Sequence, residues 1–464
     1  EGSWLGSLGN AYISLGQYDK AIEHFEGSGR TFDELWAALA DDQRRVTFGD
    51  TDGPIFSSLG LQRALANVGR HEAALETAES AHARSLQLVL ARQRIGDPHP
   101  STTAPLSVHN AQALHVDAMR DLARRCRVAI VAFSQMSTTQ VFAWVIGSAG
   151  AVTFRPLDIP ASEASLAQLI ELTRRTIGAR ARSGSGPAPV RSQPIDPLMS
   201  AEVLPPSSVD EAKLQRDLAA LAADDDEGDA AAATLAVTAD PLSALLRRCH
   251  ELLVAPLAAA LEGEPRLLIV PDRDLYALPF AALLDADGRH LVERYVLSMA
   301  PSVGTIIELE ETARLRRAQP ASEDEVALVV GNPDFHRWAE QLPNAEEEAR
   351  AVAGKLAGSD GGWKVETRLN QRATKAEVMP LLATCDLAHL ATHGKPDGVL
   401  LSAPTRLAGM LSMAEVQSLR LRARLVVLSE CDSFRGELRS DGLVGITRSF
   451  LSAGALAVIA SLWK

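Results

Sequence analysis

Asp386-Leu-Ala-His-Leu-Ala-Thr-His393-Gly394 and Leu425-Val-Val-Leu-Ser-Glu-Cys431-Asp432-Ser433 are the two stretches around which the chain is organised. Each is a short apolar run that reads as a buried strand, and each ends on a residue capable of base or nucleophile chemistry. As neighbouring parallel strands they bring His393 and Cys431 to a common carboxyl edge, the place where sites form in open α/β sheets.

Units of alternating strand and helix lead into this pair. Val326–Val330 reads as a buried strand ending at Gly331-Asn-Pro-Asp, followed by a helix at 344–357, a strand near 364–369 and a helix from Thr374 to Leu382. Before them come a helix over 241–262, a strand at Leu267–Val270, a Pro-Asp-Arg-Asp turn and a second helix after Pro279. Beyond Cys431 a polar loop runs to Asp441, an apolar helix covers Leu443–Ser452, and Ala455–Leu462 reads as a last buried strand. The alternation predicts an α/β fold, a mainly parallel sheet with helices on both faces.

The pattern changes toward the start of the chain. Val128–Phe133, Val141–Ile146 and Val152–Phe154, with a turn over Gly147 to Gly150, predict a meander that opens a domain at about 127, followed by a helix from Ser162 to Ile177. Residues 179–240 carry Ser183-Gly-Ser-Gly-Pro, Leu204-Pro-Pro-Ser-Ser and the acidic run Asp224-Asp-Asp-Glu227. They hold too little large apolar surface to offset ordering, so the expectation is a mobile insertion, with Val209–Ala223 able to form a helix.

Residues 5–28 resemble a tetratricopeptide repeat, with Leu5, Leu8, Gly9, Tyr12, Gly16, Ala21 and Phe25 at that motif's positions. A weaker copy at 61–86 keeps Leu61, Leu65, Gly69, Ala74 and Ala78. Such units need neighbours to cover their faces, so residues 1–95 are expected to be the end of a longer helical array that holds a protein or peptide partner.

Composition narrows the function classes. A net charge of -13 over 464 residues argues against a surface built for direct nucleic-acid or anionic-membrane binding. Cys126, Cys249, Cys385 and Cys431 form no C-x-x-C pair, which suggests neither a disulfide framework nor a cysteine zinc site and fits a reducing interior. No apolar run approaches the roughly 20 residues that span a bilayer. The expectation is a soluble cytoplasmic protein cut from a longer one, using no cofactor.

Four stretches together resemble the CHAT domain, a caspase-like peptidase fold commonly found behind tetratricopeptide repeats. They are Leu267-Leu-Ile-Val-Pro-Asp-Arg-Asp-Leu-Tyr-Ala-Leu-Pro-Phe-Ala-Ala282, His389-Leu-Ala-Thr-His-Gly394, Val426-Val-Leu-Ser-Glu-Cys431 and the run from Gly442 to Trp463. The resemblance implies a CHAT domain over 127–464 with its caspase-like catalytic part at 264–464. It implies Cys431 as nucleophile, His393 as base, and Gly394 with the backbone N–H of Cys431 as oxyanion donors. Asp272, Leu278 and Pro279 match a structural turn upstream.

The chemistry asks for these residue types. A thiol with a pKa of about 8.5 needs an imidazole, or the N-terminus of the helix after Asp441, to become a thiolate near neutrality. The same imidazole can then protonate the leaving amine. His389 and Ser433 are expected beside the site rather than in it, because alternation sets His389 about 13 Å back along the strand from His393. A metal at His389-x-x-x-His393 is excluded on the same ground, since i and i+4 converge on a helix and not on a strand. Asp432, Glu430 and Glu437 are acids near Cys431, of which Asp432 and Glu430 are candidates for a pocket selecting a basic P1 side chain.

Two readings from different classes follow: a cysteine endopeptidase gated by a partner on the repeats, and an inert CHAT-plus-repeat scaffold for protein assembly. A cysteine ending a buried strand can be a small hydrophobe, and a strand-end histidine can simply hold a loop. Glu430 and Phe434 depart from the family pattern and favour the scaffold; His393, Gly394 and Cys431 favour the peptidase.

Overall fold

The computed structural model describes residues 1–39, 42–94, 114–160, 165–183, 240–318, 325–358, 362–395, 397–430, 437–439 and 442–461. Most of the expected insertion, together with Cys431, Asp432, Ser433 and Phe434, lies outside the described residues.

The chain opens with helices α1 (Gly2–Ser14), α2 (Tyr18–Ala37), α3 (Asp42–Gly49), α4 (Asp52–Asn67), α5 (His71–Ala81) and α6 (Arg84–Arg94). The two repeat-like copies are the pairs α1/α2 and α4/α5. Gly16 and Gly69 sit at equivalent offsets and turn each pair with left-handed φ of 68° and 77°, a conformation glycine enters without a Cβ penalty. The ring of Phe25 fills the space between α1, α2 and α4. A Cβ on Gly9 would lie 2.8 Å from that ring and one on Gly60 2.2 Å from it, so small residues are what let the helices close.

Helix α7 (Val116–Cys126) then leads into the meander β1 (Ala129–Gln135), β2 (Gln140–Ile146) and β3 (Val152–Asp158), and α8 (Leu166–Ser183) follows. This helix runs past Ile177, so the expected insertion begins later than residue 179. After α9 (Pro241–Leu253), strands β4 (Arg266–Val270) and β5 (Val296–Met299) join the meander in one sheet of order β3-β2-β1-β4-β5. Alternation splits its side chains between two cores. Val131, Phe133, Val141 and Ile269 face α8 and α9, whereas Ile130, Trp144, Leu268 and Val270 pack with Phe25, Leu65, Leu75 and Met119 of the helical segment. The repeats and the first sheet therefore share one core.

Helix α10 (Val303–Arg317) crosses to a second sheet made of β6 (Val326–Gly331), β7 (Lys364–Leu369), β8 (Leu387–Ala391), β12 (Leu425–Ser429) and β15 (Val458–Ile459). Its order is β15-β12-β8-β6-β7, and every pair is parallel. Helices α11 (Pro343–Ala357), α12 (Lys375–Thr384) and α13 (Ile446–Ser452) cover it. Between β8 and β12, short strands β9 (Gly394–Lys395), β10 (Gly398–Leu400) and β11 (Met410–Ser412) form a separate ribbon. The two sheets are tied by apolar contacts of Leu86, Leu90, Leu309 and Leu451 and by Arg316, whose guanidinium donates to the carbonyls of Leu421 (3.0 Å), Arg422 (3.1 Å) and Gly454 (2.9 Å).

Four expectations are corrected. The expected parallel sheet flanked by helices is present as the second sheet, but Leu267–Val270 belongs to the first, mixed one. The helix expected after Pro279 is a single 3-10 turn, Phe280–Ala282, preceded by another at Arg273–Ala277; the N–H groups of Leu278, Ala282 and Leu283 bond back three residues, and Pro279 has no N–H to extend a helix. The residues before α13 pair as a hairpin, β13 (Glu437–Arg439) with β14 (Gly442–Val444), so the helix starts at Ile446 instead of Leu443. The last strand covers only Val458–Ile459 and, as an edge strand, leaves Ile459 57% exposed.

Candidate active site

β8 lies at the middle of the second sheet, with β12 on one side and β6 on the other. Its register with β12 runs from Leu425↔Leu387 to Ser429↔Ala391, so the two strands end level at the carboxyl edge. His393 follows two residues after β8, and Gly394 opens β9, paired antiparallel opposite Val399. Thr392, buried between them, donates its hydroxyl to the Leu400 carbonyl at 2.6 Å, and the His393 carbonyl accepts the Leu400 N–H at 3.1 Å. These bonds fix the backbone on both sides of the imidazole.

The ring itself is held by the loop after β6. His393 Nε2 lies 2.8 Å from the carbonyl oxygen of Glu340. A carbonyl can only accept, so Nε2 carries the proton and Nδ1 of the neutral ring is left as the basic nitrogen. The Phe335 ring packs on the imidazole with centroids 5.1 Å apart and is in turn edged by Trp338, whose Nε1 donates to the Ala403 carbonyl at 2.7 Å. Nothing in the sequence marks Glu340, because its contribution is a backbone oxygen.

His389 faces Val427 and Val329 across the ladders and meets Glu348 of α11 through Nε2 at 3.0 Å. Burial lowers its pKa, and Glu348 opposes that shift without reversing it. It lies within β8, four residues before His393.

Glu430 is the last described residue before position 431. Val426 and Leu428 are buried in the core beneath α12 and α13, and the same alternation sets Glu430 on their face, opposite to that of His389. It is buried, neither carboxyl oxygen has a hydrogen-bond partner among the described residues, and burial raises its pKa well above the ordinary carboxyl value. Its backbone carbonyl accepts the Ser461 hydroxyl at 2.5 Å. The structure describes the backbone of Glu437, in β13, but not its side chain.

Asp272 lies at the carboxyl end of β4, in the first sheet and not in the one that carries His393. It is buried, accepts the Gln135 N–H at 2.8 Å and lies 3.3 Å from His82 Nε2 at the end of α5. Burial pushes its pKa up, but the His82 imidazole outweighs this and holds it below the usual carboxylate range. For His82, burial works downward and Asp272 carries the pKa above its ordinary value. Leu278 and Pro279 are buried beside this turn. The sequence marks Asp272 as a structural turn but not His82, since nothing in the sequence links residues so far apart.

A parallel sheet, a histidine held at the end of its central strand and a turn at the end of β4 agree with a family match. Residues 243–464 match the CHAT domain. The chain is also 30% identical over 274 residues to tetratricopeptide repeat protein 28 of Mus musculus, a match covering 47% of this chain and 11% of that protein. The Homo sapiens counterpart is 29% identical over 274 residues with the same coverage. This chain thus spans 11% of the length of these curated relatives. Among solved structures, a chain of the Saccharomyces cerevisiae separase–securin complex is 12% identical with a TM-score of 0.44, covering 97% of this chain and 34% of that one. Among the described residues, no helix is long and apolar enough to cross a membrane.

Proposed function

We propose that this CHAT-domain protein is a cysteine endopeptidase with Cys431 as nucleophile and His393 as base, gated by a protein partner held on the tetratricopeptide-like helices. The observation that supports it most is the orientation of His393. A backbone carbonyl accepts the hydrogen bond from Nε2–H, which leaves Nδ1 as the basic nitrogen at the carboxyl edge of the central strand. Continuing the β8–β12 register by two residues would set position 431 opposite position 393.

In this mechanism Nδ1 takes the thiol proton, and the thiolate sulfur attacks the peptide carbonyl carbon. The resulting oxyanion would be met by the N–H groups of Gly394 and Cys431, each worth about 3–4 kcal/mol of barrier. The imidazolium returns its proton to the leaving amine as the C–N bond breaks, giving a thioester. Water, deprotonated by Nδ1, then hydrolyses the thioester and frees the thiol. While the ring is charged its hydrogen bond to the Glu340 carbonyl is charge-assisted, a class that contributes about 1.5–3 kcal/mol.

Gating is supported by connectivity. The helical segment shares its core with the first sheet, and the backbone of the β13–β14 hairpin, which follows position 431, runs against α3 and the 273–277 turn. A partner that shifts α3 would press on the segment that carries the nucleophile.

The inert scaffold is the second reading, and Glu430 favours it, since an unpartnered carboxyl next to the nucleophile position is a poor start for a tuned thiolate. An electrophilic peptide probe separates the two. With partners of the repeats bound, Cys431 should be labelled in the full chain, and His393→Ala should reduce that labelling. No labelling of Cys431 under those conditions rejects the peptidase and leaves the scaffold.

A further inference from the structure

The carbonyl that orients His393 comes from Glu340, in a loop between β6 and α11 whose shape is unusual for an L-amino-acid chain. Asn332, His336 and Arg337 all have left-handed φ, at 45°, 48° and 73°, as does the neighbouring Asn370 at 51°. Four such non-glycine residues persist only where surrounding contacts over-determine them, and backbone of this kind clusters where geometry is being enforced. The contacts converge on one side chain.

Asn332 is buried, and its backbone N–H and both ends of its side-chain amide are hydrogen-bonded. Its backbone N–H donates to the Ala391 carbonyl at 3.1 Å, tying the loop to β8 two residues before His393. Its Oδ1 accepts the N–H of Leu342 at 2.6 Å, tying the far end of the same loop two residues after Glu340. Its Nδ2 donates to Asn370 Oδ1 at 3.1 Å and toward Glu346 Oε2 at 3.4 Å. Asn370 Nδ2 in turn donates to the same Glu346 oxygen at 3.1 Å, and the Asn370 carbonyl accepts the Asp334 N–H at 3.2 Å. Arg350, then Asn370 and Asn332, hold the Glu346 carboxyl below its ordinary pKa. The acceptor is therefore a charged group at neutral pH.

We infer that Asn332, braced by Asn370 and Glu346, is a positioning residue for the base: it fixes the loop so that the Glu340 carbonyl meets His393 Nε2 and leaves Nδ1 free. The inference deepens the peptidase reading and rests on it for its consequence in catalysis, but the positioning itself is a property of His393 and can be read without any turnover. Only an asparagine offers an acceptor for Leu342 and a donor for Glu346 from a short side chain. Aspartate keeps the first bond, loses the second and sets two carboxyls against each other.

The test is the exchange rate of the His393 Nε2 proton, followed by NMR in a Cys431→Ser background so that no thiol titration interferes. The unaltered loop should show a protected Nε2–H. Asn332→Ala and Asn332→Asp should each raise its exchange about fivefold or more, the factor carried by one net hydrogen bond. Asn332→Asp combined with Glu346→Gln should restore protection, because a glutamine amide can donate to the new carboxylate. That rescue is not expected of a merely structural asparagine, and it keeps the test decisive if Asn332→Ala fails to fold. Protection unchanged in Asn332→Asp, or not regained in the double variant, overturns the inference. With Cys431 restored, the rate of its alkylation across pH reports separately on the dyad, so failure of the peptidase reading is distinguishable from failure of the positioning.

Discussion

Glu430→Met should make the protein more stable, although it removes a charged residue type next to the proposed nucleophile. Both carboxyl oxygens of Glu430 are buried without a hydrogen-bond partner among the described residues, and its backbone bond to Ser461 does not depend on the side chain. A buried polar group left unsatisfied costs about 1–3 kcal/mol, and methionine is close in length and flexible enough to fill the same space, so a gain of about 1–3 kcal/mol at pH 8 is expected. The pH dependence has a definite sign. Burial raises the folded-state pKa well above the ordinary value of about 4.3, so above that value the unfolded chain has released a proton that the folded chain still holds. Stability of the unaltered protein must therefore fall as pH rises from the ordinary value toward the raised one, and Glu430→Met should lose that slope. Urea unfolding at pH 4.5 and pH 8 measures both effects. A variant less stable than the parent at pH 8, or one with an unchanged slope, would show that the carboxyl has a favourable role in the fold and refute the reasoning.

Asp272→Ala should destabilise the protein by about 3–5 kcal/mol, because it strands a buried imidazolium at His82 and a buried N–H at Gln135; combining it with His82→Phe should recover part of the loss in urea titrations, and a purely additive result would deny the pairing. The His82 contribution should be complete below its unfolded value and fade as pH rises through its raised folded value, whereas that of Asp272 should fade as pH falls through its depressed one. His82→Gln should therefore flatten the alkaline side of the stability profile. Gly60→Ala sets a Cβ against the Phe25 ring and should cost about 1–3 kcal/mol by overpacking; a change inside about 0.5 kcal/mol would mean that the helices pack more loosely than described.

The parts of the molecule that were legible in the sequence are those whose burial writes a pattern. β6 and β12 are largely apolar runs, and β8 is one interrupted only by His389, because a parallel strand is covered on both faces, and their alternation with helices predicts the second sheet. Gly16, Gly69 and Phe25 mark the helical pairs for the same reason: a turn and a close approach each require a particular residue type. Division into two sheets was not legible, since β4 is as apolar as β6 and only the helices packed on each decide which sheet it joins. β5 was missed because four residues at an edge, alternately exposed, carry no apolar run. The deepest omission is the support of His393. It depends on the Glu340 carbonyl and on left-handed Asn332 and Asn370, and backbone atoms and φ values leave little trace in composition or spacing.

The whole account rests on positions 393 and 431, which follow β8 and β12, meeting at the carboxyl edge of the second sheet. Adjacent strands run about 4.8 Å apart, so in His393→Cys the new thiol should be bridged to Cys431 by a short bis-alkylating fluorogenic reagent, with peptide mapping to identify the link. The account predicts rapid bridging that disappears in His393→Cys/Cys431→Ser. Bridging that is absent, or that joins residue 393 to another cysteine instead, would contradict it.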